Sequence, residues 1–105
     1  MKAPDLPQVD PQRYKDLVDD WQKVCGLRVR DLRTRLGFDT CRSLADAVGC
    51  NPVTIYRIET GDLLPRDYWR LAIANVLGVN ADDLWPTLRH HDVLTMLGTS
   101  EGIAA

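Results

Sequence analysis

The sequence lacks the defining features of several protein classes. Its three cysteines, Cys25, Cys41 and Cys50, are odd in number and include no Cys-x-x-Cys pair, which argues against a disulfide framework and a structural zinc site. No segment approaches the roughly 18 consecutive apolar residues of a membrane helix, and no apolar run follows the lysine near the start. We therefore expect a cytoplasmic protein with reduced thiols, no metal and no cofactor.

An overall positive charge is also lacking, since the net charge is −2. Residues 28–71, however, contain eight arginines against six acidic residues, whereas the segments on either side are net negative. The positive charge is concentrated at Arg28, Arg30, Arg33, Arg35 and Arg42. A local basic patch is a requirement for contact with phosphates, although arginines without a partner are as common on protein surfaces.

Strand-like alternation and internal repeats are absent, and helical periodicity takes their place. Residues 1–9 contain prolines but no periodicity, which predicts a flexible arm. From Asp10-Pro11 to Leu36 the apolar residues keep one helical phase, and Gly37 ends the pattern. Gly26 either divides this stretch into two helices or lies within one nearly continuous helix.

Four shorter helices follow, each bounded by capping residues. Thr40 caps a helix that stops at Gly49, and Asn51-Pro52 begins another that runs to Thr60 and is closed by Gly61. Pro65 begins a fourth helix that ends at Gly78, and Asn80 caps a fifth that Pro86 ends. Val93, Leu94 and Leu97 predict one weak final turn or helix. The predicted fold class is therefore all-α.

Only three residues separate the second and third predicted helices, which is the spacing of a helix-turn-helix. Residues 44–61 read LADAVGCNPVTIYRIETG, and Pro65, IANVLGV at 73–79 and Leu84-Trp85 follow. This ordered series closely resembles the lambda-repressor-like family, also called the XRE or Cro/repressor type. The resemblance covers about residues 27–86. It implies a five-helix domain whose third helix enters the DNA major groove, commonly as a two-fold homodimer on a near-palindromic operator.

The expected organisation is therefore a flexible arm at 1–9, a helical extension at 10–26, a DNA-binding domain at 27–86 and a short C-terminal segment at 87–105. The resemblance implies a small bacterial or phage repressor that binds double-stranded DNA sequence-specifically and reads the major groove with the helix at 52–60. Two surfaces are candidates for the dimer contact. One is the amphipathic segment from Tyr14 to Cys25, and the other is the cluster of Val93, Leu94 and Leu97, extended by Leu84 and Leu88. Each of them alternatively packs against its own domain.

The third predicted helix has two faces of different character. At 100° per residue, Thr54, Ile55, Ile58 and Glu59 share one arc, which we expect to be buried. The opposite side carries Val53, Tyr56, Arg57 and Thr60, with Pro52 at the leading end. Arg57 can bind guanine through two hydrogen bonds, Pro52 and Val53 can pack on a thymine methyl group, and Tyr56 can reach a phosphate or base edge. The four predicted base-reading residues are Pro52, Val53, Tyr56 and Arg57, although an ordinary solvated face has the same pattern.

The resemblance also implies contacts to the DNA backbone and a structural ion pair. Relatives usually begin the second helix with a glutamine that contacts the DNA backbone, and Cys41 occupies that position here, so that Arg42 and Arg66 are candidates to compensate. The expected backbone contacts are Thr40, Cys41, Arg42, Asn51, Thr54, Thr60 and Arg66. Arg33 and Glu59 match a pair that ties the first helix to the third. The loop Asp62-Leu63-Leu64, basic in many relatives, is expected to expose apolar surface.

Two other functions compete with DNA binding. An enzyme would need a nucleophile and a base, and Cys41 or Cys50 with His90, His91 and Asp92 supplies the residue types. Adjacent histidines point in different directions on a helix, however, and no glycine-rich loop accompanies them, so we expect no enzyme. The stronger alternative is an antitoxin-like interaction module that neutralises a protein partner and autoregulates its operon, which the acidic and apolar Asp62-Leu63-Leu64 loop favours.

Overall fold

The computed structural model describes residues 10–87, and this part of the chain contains five α-helices and no strand. They are α1 (Pro11–Arg35), α2 (Cys41–Val48), α3 (Pro52–Thr60), α4 (Asp67–Leu77) and α5 (Ala81–Leu84). The predicted all-helical, five-helix architecture is therefore confirmed. The arm at 1–9, the histidines and the C-terminal cluster of Val93, Leu94 and Leu97 lie outside the described residues.

Helix α1 is continuous across Gly26, so the second of the two sequence interpretations is correct. Asp10 caps its first turn, because the Asp10 carboxylate accepts a hydrogen bond from the backbone N–H of Gln12 at 3.1 Å. Residues 19–87 form one compact unit, and residues 10–18, the first turns of α1, belong to another. None of the helices within residues 10–87 is long and apolar enough to cross a membrane.

The turn between α2 and α3 is fixed by local hydrogen bonds. Thr40 and Ser43 form a capping box at the start of α2, where the Ser43 N–H donates to the Thr40 hydroxyl at 3.1 Å. Gly49, in the left-handed conformation with φ of 92°, ends α2 and donates its N–H to the Ala45 carbonyl at 2.7 Å. The Asn51 side chain then caps α3 by accepting from the Val53 N–H at 2.9 Å. The two helices are consequently joined at a defined angle.

One hydrophobic core holds the five helices of residues 19–87 together. Its buried members are Cys25, Val29, Leu44, Ala45, Ile55, Ile58, Ile73, Ala74, Leu77, Leu84 and Trp85. Two of them, Cys25 and Leu84, belong to the candidate dimer surfaces, and each is only 1% exposed. The suggestion that Leu84 lies in a self-contact is wrong, because its side chain is already enclosed by its own domain.

Two details of the α3–α4 connection differ from the sequence interpretation. Helix α4 begins at Asp67 rather than Pro65, because the backbone of the N-cap residue Arg66 is extended, with ψ of 166°. Pro65 lies buried in the preceding loop. Leu63 and Leu64 are only partly exposed and pack against the core. The loop therefore does not present the open apolar surface that its sequence predicts, and its exposed residue is Asp62.

Candidate nucleic-acid interface

Helix α3 divides sharply into an inner and an outer face. Ile55 and Ile58 are 0% and 1% exposed and insert into the core. Val53 and Tyr56, by contrast, are 61% and 60% exposed. We define the α3 outer face as Pro52, Val53, Tyr56, Arg57 and Thr60, of which all but the partly buried Pro52 are exposed. The helical periodicity predicted this division, and the α3 outer face is left free by the rest of residues 19–87.

A buried ion pair fixes α3 against α1. Arg33 Nε donates to Glu59 Oε2 at 2.7 Å and Arg33 Nη2 donates to Glu59 Oε1 at 3.2 Å, while both side chains are at most 7% exposed. A third hydrogen bond runs from the same guanidinium to the Phe38 carbonyl at 2.8 Å. The hydrogen bond with Glu59 raises the pKa of Arg33 although burial opposes it, so the guanidinium stays charged. Such a bidentate contact sets the orientation of α3.

The Cys41 thiol turns toward this ion pair. Its sulfur lies 3.7 Å from Glu59 Oε1, in the geometry of a weak hydrogen bond donated by the thiol. Burial and the Glu59 carboxylate both raise the pKa of Cys41, and these effects exceed the opposing ones of Arg33 and Arg30. The thiol is therefore neutral and engaged within the domain. Cys41 consequently has much less capacity to hydrogen-bond a DNA phosphate than the glutamine that relatives usually have at this position.

The other expected backbone contacts fall into two groups around α3. Thr40, Arg42 and Asn51 are exposed near the start of α2 and the turn. Because Asn51 uses its side-chain oxygen as a cap, its amide N–H groups remain available as donors. On another side, Thr54 and Arg66 line a cavity of about 320 Å³ together with Leu63, Leu64, Pro65 and Trp69. Thr54 is partly buried, whereas Arg66 is exposed.

A second cavity joins α1, α2 and the α3 outer face. It has a volume of about 200 Å³ and is lined by Arg30, Arg33, Cys41, Tyr56, Glu59 and Thr60. We call it the Arg30 cavity, because Arg30 is its one charged lining residue outside the buried ion pair. Sequence reasoning counted Arg30 in the basic patch but gave it no role in the site. The sequence signal for this role is that Arg30 precedes Arg33 by three residues, because residues three apart in a helix lie side by side on one face.

The structure thus brings Tyr56 and Thr60 together with Arg30, and Thr54 together with Arg66. Val53 and Arg57 lie on the α3 outer face but line neither of these cavities. No cluster of three or more His, Cys, Asp or Glu side chains that would hold a metal ion occurs within residues 10–87. The arrangement is that of a rigid helix presenting apolar, aromatic and guanidinium groups, with further arginines on the neighbouring elements.

Comparison with known proteins agrees with this geometry. A family model described as a helix-turn-helix domain matches residues 25–86, which is more than half of the chain. The match includes α2, α3 and the turn between them. No curated protein matches the chain, and no solved structure does.

Proposed function

Because the chain belongs to a helix-turn-helix domain family, we propose that it binds double-stranded DNA sequence-specifically and regulates transcription as a small repressor. The observation that carries the proposal is the α3 outer face. Val53, Tyr56 and Arg57 project from a helix that is capped at both ends and anchored by a buried ion pair. A rigid, uncovered helix of this kind has the dimensions that the major groove admits.

In this proposal each exposed group of α3 has a separate task. Arg57 binds the O6 and N7 atoms of a guanine, and Pro52 and Val53 pack on a thymine methyl group. Tyr56 contacts a base edge or a phosphate. The backbone is held by Thr40, Cys41, Arg42, Asn51, Thr54, Thr60 and Arg66, with Cys41 contributing least because its thiol already donates to Glu59. We propose no catalytic activity for the chain, and we propose that it acts in the cytoplasm.

We further propose that the protein acts as a homodimer on a near-palindromic operator. A helix of nine residues reaches only a few base pairs, and two-fold pairing on half-sites one DNA turn apart supplies the remaining specificity. The direct experiment is selection from a pool of random duplexes. We expect an enriched sequence made of two inverted half-sites. Enrichment of no sequence would contradict the proposed function, and enrichment of a single half-site would contradict the dimer alone.

Arg57→Ala should weaken binding to the selected duplex by about 1–3 kcal/mol and bring it closer to the affinity for a scrambled duplex. Folding should be unaffected, because no hydrogen bond or ion pair among residues 10–87 uses the Arg57 side chain. Fluorescence anisotropy with both duplexes measures the ratio. Arg35→Ala, at an exposed arginine paired with Asp31, is the matched control and should leave the ratio unchanged. An unchanged ratio in Arg57→Ala would show that this side chain reads no base.

The second candidate function is neutralisation of a protein partner, as in antitoxins that autoregulate their operon. It is favoured by the exposure of two large apolar side chains on α4, Tyr68 at 69% and Leu71 at 64%. The product of the adjacent gene, added to the anisotropy assay, separates the two functions. A partner that forms a stable complex and changes DNA binding supports the antitoxin role.

A further inference from the structure

The Arg30 cavity contains a cation that the domain itself does not use. No hydrogen bond or ion pair within residues 10–87 involves the Arg30 guanidinium, and the residue is exposed. The other two ionised groups of the lining, Arg33 and Glu59, neutralise each other. Cys41 is neutral, since burial and Glu59 raise its pKa. The cavity as a whole therefore carries one net positive charge, and that charge belongs to Arg30.

The remaining lining groups are hydrogen-bond donors suited to oxygen atoms. Tyr56 and Thr60 contribute hydroxyls from successive turns of α3, and both residues are exposed. The Thr60 hydroxyl donates to the Arg57 carbonyl at 3.1 Å, so donation to a bound oxygen atom requires rotation of that hydroxyl away from the carbonyl. The Arg30 guanidinium lies beside two hydroxyls, and the Arg33–Glu59 ion pair adds no net charge. This combination favours a singly charged anion with several acceptor oxygens. A phosphodiester has this chemistry.

The location of the cavity specifies the source of that group. Tyr56 and Thr60 belong to the α3 outer face, whose only cation is Arg57. A helix lying in the major groove has DNA phosphates along both of its sides. When the helix itself has few cationic side chains, neighbouring elements must supply the cations that bind these phosphates. Arg30 on α1 is such a partner, because it shares one cavity with two residues of the α3 outer face.

We propose that the Arg30 cavity binds one phosphodiester group of the DNA backbone, with Arg30 as its charged ligand and Tyr56 and Thr60 as hydroxyl donors. This inference rests on the proposed function and extends it, since it brings α1 into the DNA interface. It also assigns Tyr56 to a phosphate rather than to a base edge. The contact fixes the position of α3 in the groove and carries no sequence information of its own.

Arg30→Gln tests the charge of this site. Affinity should fall by the same factor for the selected and the scrambled duplex, and the slope of log K against log salt should decrease in magnitude by about 0.9 per lost phosphate contact. A dimer contains two such sites and should lose about twice that. Arg35→Gln is the matched control on the same helix, and its slope should equal that of the parent. Thermal unfolding checks that both variants keep the parent's fold.

A neutral backbone substitution then identifies the phosphate. Each phosphate of the selected duplex is replaced in turn by an uncharged methylphosphonate. At one position per half-site this replacement should weaken binding of the parent and leave binding of Arg30→Gln unchanged. Tyr56→Phe should reduce the penalty at that same position. The phosphate assignment is overturned if Arg30→Gln keeps the parent's salt slope, or if it weakens binding to the selected duplex alone. These results leave the proposed function intact, whereas a parent that prefers no duplex overturns both.

Discussion

Glu59→Ala should lower the free energy of unfolding by about 3–5 kcal/mol, because it leaves the Arg33 guanidinium buried without its carboxylate. Arg33 is 6% exposed, so water cannot replace the two hydrogen bonds that are lost. The remaining hydrogen bond to the Phe38 carbonyl does not compensate a charge. For a domain of this size a loss of that order removes a large part of the total stability. DNA binding should disappear with the fold.

Urea denaturation followed by circular dichroism measures this loss. The control is Asp31→Ala, which breaks the exposed pair of Arg35 and Asp31 and should cost about 0.5 kcal/mol or less. The double variant Arg33→Met with Glu59→Met should be more stable than Glu59→Ala, since it removes both charges from the interior. If Glu59→Ala costs no more than Asp31→Ala, the buried pair does not hold α3 in place.

Gly26→Ala should destabilise the domain by about 3 kcal/mol, at the upper end of the cost of overpacking a core. A methyl group at this position would overlap the carbonyl oxygens of Ile58 and Glu59, the second of them at 2.5 Å. Both are backbone atoms in the last turn of α3, so no side chain can move aside and the two helices must separate. The loss is expected even though alanine favours a helix over glycine by about 1 kcal/mol.

The same denaturation experiment tests the close approach of α1 and α3. Leu27→Ala, at the adjacent and 58% exposed position, is the control and should change stability only slightly. A Gly26→Ala protein as stable as the parent would mean that helix propensity alone decides this position. In that case α1 and α3 would not meet at Gly26.

The contrast between Gly26 and the capping residues shows what a sequence can predict. Thr40, Asn51 and Gly49 act on groups within a few residues of themselves, so their roles follow from residue type and spacing. Gly26 acts on carbonyl groups more than thirty positions away in the chain, and periodicity contains no information about such a contact. For this reason the sequence left open whether Gly26 divides the first helix.

The same limit explains the errors around the candidate site. Periodicity gave the phase of α3 and therefore its outer face, because one buried side of a helix implies an exposed opposite side. It did not predict that Leu63 and Leu64 pack against the core, or that Leu84 is enclosed, since these depend on which elements come together. The pairing of Arg30 with Tyr56 and Thr60 has the same origin in packing. The assigned DNA contacts remain predictions for experiment.

Replacing single guanines of the selected duplex with 7-deazaguanine tests the reading of DNA by α3 most directly. The replacement removes the N7 acceptor from the major groove and leaves Watson–Crick pairing intact. At one guanine per half-site the parent should lose about 1 kcal/mol or more, since one of the two hydrogen bonds of a contact worth about 1–3 kcal/mol is gone. Arg57→Ala should show no further loss there. Equal losses in the parent and in Arg57→Ala at every guanine would contradict the assignment of Arg57 as the reader, and no loss in the parent at any guanine would contradict the reading of guanine N7 by α3.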